Sequence, residues 1–378
     1  MKKNLLLAAL VGVALTGCVN DEVASLENQK KQLTFKSVMK TQSRANQMGE
    51  VSGIIYPEVE NFHVYAWTYT GNFAALNDWS QLEKFFSEKG EDTQRSGDLW
   101  TTLTPHYWPS TAYNLMFAAY SPSSFDVKKV NEQGVYVAVE GTEERPVVEC
   151  TPEISYDQTG ITIEDFKVQS VADYQYDLMY SDFAVDRNIN NSGQSVALIF
   201  NHALSSIVFS AAKTNADIDY LITKVQITGN LITSGTFNQN YDTEGEATPT
   251  WTFSEEDRTA CVYKPTFTPF NVENGAKQFT SGNSALLLIP QTVPEDAEVE
   301  LFYTKISATA ELEGSVKIKL NNFIVPASES EAAHAITEWK PGHRYVYNIS
   351  FGANKQIFFA PTVAEWKNGG QADYTISY

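Results

Sequence analysis

His202, Ser205 and Ser206 stand in one five-residue stretch, and a histidine close to a serine is the minimum from which acyl-transfer chemistry is built. A catalytic serine also needs a base oriented by a third group, on a strained turn beside an oxyanion hole. No Gly-x-Ser-x-Gly turn or other signature of that arrangement occurs, so His202 reads as a histidine hydrogen-bonded at a strand junction. The five histidines, His63, His106, His202, His334 and His343, are scattered singly with no His-x-x-x-His and no cysteine pair beside them, which argues against zinc. Asp186-Arg187-Asn188-Ile189-Asn190-Asn191 offers oxygen ligands at positions one, three and five of a calcium-type loop. Asn191 replaces the glycine needed at six and Ala197 the glutamate at twelve, so an Asx-rich turn is the plainer reading. Trp67, Tyr69, Trp79, Trp100, Tyr107 and Trp108 either form a platform on which sugar rings stack or lie in the core. The expectation is no catalytic residue, no metal ligand and no cofactor.

The elements that would carry these residues are strands. The chain has 378 residues, 43% apolar and 12% aromatic but only 19% charged, a globular composition long enough to bury a core without disulfide staples. Its 46 acidic against 27 basic side chains give a net charge of −19, which repels nucleic acid. Tyr, Phe and Trp with abundant Thr, Val and Ile favour pleated structure. From Phe62 the alternation has period two, with Phe62, Val64 and Ala66 on one face and His63, Tyr65 and Trp67 on the other. Strands are expected at residues 113–120, 195–200, 205–211, 221–229, 285–290, 298–304, 315–320 and 344–351, punctuated by Gly, Pro and Asn at sandwich-like intervals. One short helix is expected over Asp78 to Lys89, where Trp79, Leu82, Phe85 and Phe86 have helical spacing. The Asp- and Asn-rich stretch from Tyr174 to Ser192 reads as a polar linker. The expected fold is all-β, with two β-sandwiches in tandem at 51–185 and 186–378.

The N-terminus reads as an address. Lys2-Lys3, an apolar run from Leu5 to Leu15 and then Thr16-Gly17-Cys18 make a secretory signal over residues 1–17. Cysteine directly after Leu-x-Gly resembles the bacterial lipobox, in which the thiol is acylated, and acyl chains on Cys18 would hold the protein at a membrane. Residues 18–50 follow as a polar tether with three acidic and five basic side chains up to Arg44, whereas the chain beyond is strongly acidic. Cys150 and Cys261 either pair or sit apart as small hydrophobes; their spacing does not decide.

Several stretches, in order, resemble the fimbrillin family of outer-membrane lipoprotein fimbriae, the type V pilins. They are the lipobox with its polar leader; Tyr107-Trp108-Pro109 leading into Leu115-Met116-Phe117-Ala118-Ala119-Tyr120-Ser121-Pro122; Asp177-Leu178-Met179-Tyr180-Ser181 followed by residues 196–209; Leu286-Leu287-Leu288-Ile289-Pro290-Gln291; and Trp339 to Tyr347 with residues 357–361 and Trp366. The resemblance implies transthyretin-like sandwiches and a surface-exposed subunit at the cell outer membrane. It further implies an arginine-specific protease that removes the leader, and a neighbouring subunit whose C-terminal strand fills the vacated groove.

Mapped onto this chain, that scheme places cleavage between Arg44 and Ala45 and the leader strand at Gln32 to Val38, with Leu33 and Phe35 as groove residues. The donor candidate is Ala372 to Tyr378, where Ala372, Tyr374, Ile376 and Tyr378 alternate with polar residues; a last strand pairing within its own domain is the other reading. The partners implied are other fimbrial subunits, the outer membrane through acylated Cys18, and a host protein or glycan. The rival reading is a non-polymerising adhesin that captures glycan or host protein.

Overall fold

Aromatic and β-branched residues pack best on a pleated surface, and the computed structural model realises them as thirty strands and six three-residue 3₁₀ turns, with no α-helix among the described residues. Those residues are 31–39 and 61–365, less short stretches at 77–78, 131–135, 158–159, 192–194, 215–216, 242–246, 326–331, 353–356 and 360–361.

Seven strands form a ring. They are β1 (Phe35–Met39), β2 (His63–Tyr69), β3 (Glu91–Ser96), β4 (Leu99–Thr102), β5 (Asn114–Ser121), β6 (Met179–Ser181) and β7 (Val196–His202). β2 pairs antiparallel with β5, β5 with β6 and β6 with β7; β7 pairs parallel with β1; β1 pairs antiparallel with β4, β4 with β3, and β3 with β2 again. The hydrogen bonding therefore closes on itself, with Ala184–Arg187 and Glu83–Lys84 attached to β5 and β2.

Side chains alternate across this ring as strand geometry demands. Phe35, Phe62, Val64, Ala66, Trp100, Leu115, Phe117, Ala119, Met179, Leu198 and Phe200 fill one buried cluster inside it. The opposite faces of β2 and β5 are buried as well. Tyr65, Trp67, Met116, Ala118 and Tyr120 pack against Ile161, Ile163, Phe166 and Phe237 of a second sheet, ordered 247–252, 234–241, 160–167 and 153–157. A strand covered on both faces reads as a continuous apolar run, which is how Leu115 to Tyr120 reads.

The C-terminal half pairs Ser205–Lys213 parallel with His343–Phe351, flanked by Leu286–Leu288 on one side and by Ile357–Phe359 and Thr362–Glu365 on the other. Against it lies a sheet built on Asp219–Ile232, Glu298–Ile306, Glu311–Lys319 and Arg258–Tyr263. One apolar cluster runs from Tyr65 and Ile163 through Phe237 to Phe209 and Tyr347.

Two expectations are corrected. Asp78 to Lys89 is not helical. Trp79–Gln81 is a single 3₁₀ turn, and Glu83–Lys84 is a strand against Trp67 and Thr68. Leu82 packs on the larger core while Phe85 and Phe86 pack on the ring interior, so side chains that a helix would align serve two different cores.

The expected linker is likewise not solvated over its described residues up to Ile189. Leu178, Met179, Tyr180 and Ser181 are buried and β6 belongs to the ring. Its carboxylates are internally engaged: Asp177 with His202, Asp182 with the Asn201 amide at 2.7 Å, and Asp186 with the Tyr69 hydroxyl at 3.0 Å. Strand pairing crosses the position between residues 185 and 186, since β7 joins the N-terminal ring and 234–241 pairs with 160–167.

Burial raises the phenols of Tyr65, Tyr69, Tyr120, Tyr180 and Tyr347 well above the ordinary tyrosine range and pushes Tyr345 up to about 12. The fold keeps these protons, while the unfolded chain begins to release them at about pH 10. Their contribution is thus complete below that pH and lost as pH rises through the window above it. The urea midpoint should hold up to about pH 9 and fall beyond about pH 10, with tyrosinate absorbance rising together with unfolding; absorbance rising fully before unfolding would contradict it.

Candidate functional site

The ring has one position occupied by a strand from the polar N-terminal segment expected to be a leader. β1 lies between β7 and β4 and is their only link among the described residues, pairing Phe35 to Met39 with Val196 to Phe200 on one side and Phe35 with Trp100 on the other. Leu33 and Phe35 are fully buried, Thr34 is half-buried and Lys36 is exposed, so the strand turns its apolar residues inward and its charge outward. The Phe35 ring meets Phe117 at 5.4 Å and Phe62 at 6.1 Å, both edge-on, and Phe62 in turn meets Phe200 at 5.4 Å. Burying Leu33 and Phe35 contributes roughly 3–6 kcal/mol together, before the entropy of ordering the leader.

The N-terminal segment is gripped a second time ahead of β1. The Leu33 amide donates to the His106 carbonyl at 2.8 Å, the Trp108 amide donates to the Lys31 carbonyl at 3.0 Å, and Gln32 bridges antiparallel to Tyr107. The Val196 amide donates to the Thr34 carbonyl at 2.8 Å. The His106 ring packs 4.6 Å from Phe86 and stands 3.2 Å from a Glu91 carboxylate oxygen, which fixes the segment that holds Leu33. The Tyr107-Trp108-Pro109 stretch, conspicuous in the sequence, thus acts as a clamp on residues 31–33. The remaining contact, Trp100, is invisible as such in the sequence, because only the folded register brings it opposite Phe35.

Ser37 is the one polar side chain that β1 turns into this interior. It is 7% exposed, and its hydroxyl has no hydrogen-bond partner among the described residues.

The other candidates resolve into structural roles. Ser205 donates its hydroxyl to the Lys340 carbonyl at 2.8 Å and not to His202, whose Nδ1 is 2.9 Å from the buried Asp177 carboxylate. His63 lies between Asp92 and the Lys89 carbonyl, and His334 and His343 contact the carbonyls of Ala332 and Pro341. Asp186 accepts from the Tyr69 hydroxyl and the Phe73 amide, and Asn188 and Asn191 close an Asx turn, so the carboxylate at position one points into the protein. Among the described residues no cluster suits a metal ion.

Of the aromatic residues named above whose side chains are described, most are turned inward. Trp67, Tyr69, Trp100 and Trp108 are buried because they face one or other core, and Tyr107 is 45% exposed. Cys150 and Cys261 are free thiols; Cys150 accepts from the Lys167 amide, and Cys261 lies near the Gly229 carbonyl. Cys18, Arg44, Ala45, Ala372, Tyr374, Ile376 and Tyr378 lie outside the described residues.

Three neighbouring substitutions separate groove from surface. Phe35→Ala should cost about 3–5 kcal/mol in chemical denaturation. Lys36→Ala should stay within about 0.5 kcal/mol. Ser37→Ala should be neutral or stabilising by about 1 kcal/mol, since it removes a buried hydroxyl that gains no hydrogen bond in the fold. Equal effects at residues 35 and 36 would contradict the placement of β1.

A family model described as fimbrillin-like matches residues 44–366 of the chain. Among solved structures, a fimbrial protein from Bacteroides vulgatus is similar at 15% identity, with 89% of this chain and 100% of that one covered and a TM-score of 0.55. The tip fimbrial protein of Porphyromonas gingivalis, truncated at its C-terminus, matches at 8% identity over 89% of this chain and 100% of its own, with a TM-score of 0.32. No curated protein matches the chain. With the family match covering most of its length, this all-β chain belongs to the fimbrillin-like family.

Proposed function

We propose that the protein is a fimbrial subunit of the cell surface, made as an outer-membrane lipoprotein anchored through Cys18, whose own leader strand temporarily fills the place of a neighbour's strand. The observation that carries this reading is β1 itself. Among the described residues a strand from the polar leader, and not from the body, is the only link between β7 and β4. The family match begins at residue 44 and leaves β1 outside it.

Cutting between Arg44 and Ala45 separates β1 covalently from everything else in the ring. Loss of β1 exposes unpaired backbone along β7 and β4 together with the pockets of Leu33 and Phe35, and an incoming strand satisfies both needs at once. The segment from Ala372 to Tyr378 suits that place. Ala372, Tyr374, Ile376 and Tyr378 alternate as β1 does, and seven residues span roughly 23 Å where the five of β1 span roughly 17 Å. The work is assembly through hydrogen bonding and burial, in keeping with a structural, non-enzymatic family.

Two variants test the scheme on protein recovered from the cell surface. Arg44→Ala should leave the leader attached and the chain a lipidated monomer, read by N-terminal sequencing and native mass. Oligomers from that variant equal to wild type would overturn cleavage at Arg44. Removal of residues 372–378 should abolish the ladder of oligomers while the thermal transition of the body is kept. An unaltered ladder would overturn the donor assignment.

A further inference from the structure

The slot between β7 and β4 holds the leader by contacts that cutting between Arg44 and Ala45 does not touch. The last residue of β1 is Met39, and the buried residues and the clamp lie further back still, at Phe35, Leu33 and Lys31. Proteolysis there breaks one peptide bond in the sequence after the strand. It leaves in place the ladder to β7, the edge-on packing of Phe35 on Phe62 and Phe117, and the backbone pairs of Lys31 and Leu33 with His106 and Trp108.

Resting on the cleavage reading above, we infer that the slot is a binding site for the cut leader as a separate peptide, of the pattern Leu-x-Phe-x-Ser at residues 33–37, and that cleavage and release are therefore two distinct steps. The body's half of the site is specific. The pocket of Phe35 is lined by Phe62, Phe117 and Trp100, and the His106–Trp108 segment pairs only with backbone and so fixes register. A β1 held on both sides by strands and from within by aromatic rings differs from a frayed edge strand, which leaves as soon as its tether is cut.

The consequence concerns attachment. With the leader acylated at Cys18, a cut subunit stays on the membrane for as long as β1 stays in the slot, held by a noncovalent joint. An incoming strand that displaces β1 then frees the subunit from the membrane in the same event that joins it to a neighbour. Cutting without displacement yields a subunit that is neither lost to the medium nor left with an open, aggregation-prone groove.

The test uses the full chain with a site-specific protease sequence inserted between Arg44 and Ala45, so that retention is read whatever cuts the natural site. After complete cutting, gel filtration and native mass spectrometry should find the leader fragment still bound to the body, and in membranes the body should remain in the pellet. Loss of the fragment and solubilisation of the body at the rate of cutting would overturn the inference. In the same chain Phe35→Ala should shorten retention by about a hundredfold or more, whereas Lys36→Ala should leave it unchanged. Treatment of the unmodified chain with an arginine-specific protease runs in parallel: no cut at Arg44 there counts against the processing scheme alone and leaves the retention result standing.

Discussion

A sheet interior tolerates no missing strand, because each backbone amide and carbonyl on its edges needs a partner and the side chains beneath need cover. In this protein that constraint falls on a single short strand near the N-terminus, β1. Among the described residues the seven-strand ring closes only through β1, and its interior is completed by Phe35 seated against Phe62 and Phe117, with Phe200 packed on Phe62. Two edges about two strand spacings apart, each with its own ladder to complete, make a place that some strand must fill.

The rest of the N-terminal half is arranged so that this place is rigid. β2 and β5 are covered on both faces, by the ring interior on one side and by the sheet of residues 153–167 and 234–252 on the other, so they cannot yield when β1 is stressed. β6 and β7 are tied down by a polar network: the Ser181 hydroxyl accepts the Ala119 amide at 2.9 Å, Asn201 donates to Asp182, and His202 meets Asp177 out of contact with water. Buried polar groups that are paired in this way favour one register over its neighbours, since a slip would strand them without partners. The same reasoning explains why a stretch so rich in Asp and Asn is inside the protein.

The C-terminal half continues the same core. The parallel pairing of Ser205–Lys213 with His343–Phe351 is braced by Trp339, whose indole donates to the Tyr347 hydroxyl at 3.0 Å, and by the Lys340 amide, which donates to the Tyr345 hydroxyl at 2.8 Å. Residues 339–347 are thus a structural corner. Ile357–Phe359 and Thr362–Glu365 continue one antiparallel register along His343–Phe351, so the described chain ends at a sheet edge.

Much of this was determined by the sequence alone. Composition and period-two alternation specify an all-β protein, because aromatic and β-branched side chains at alternate positions have no other arrangement that buries them. The strands around residues 114–121, 205–213, 298–306 and 343–351 were legible for that reason, and Leu33 and Phe35 stood out as apolar residues in a polar leader. Tertiary structure decided what local pattern does not encode. It placed Leu82 and Phe86 in different cores and so replaced an expected helix with a turn and a strand. It drew the acidic stretch at 174–192 inward by giving each carboxylate a partner distant in sequence. Above all it set β1 between β7 and β4, a register that depends on residues about 65 to 160 positions away, and pairing over such separations is a property of the closed sheet and of no segment within it.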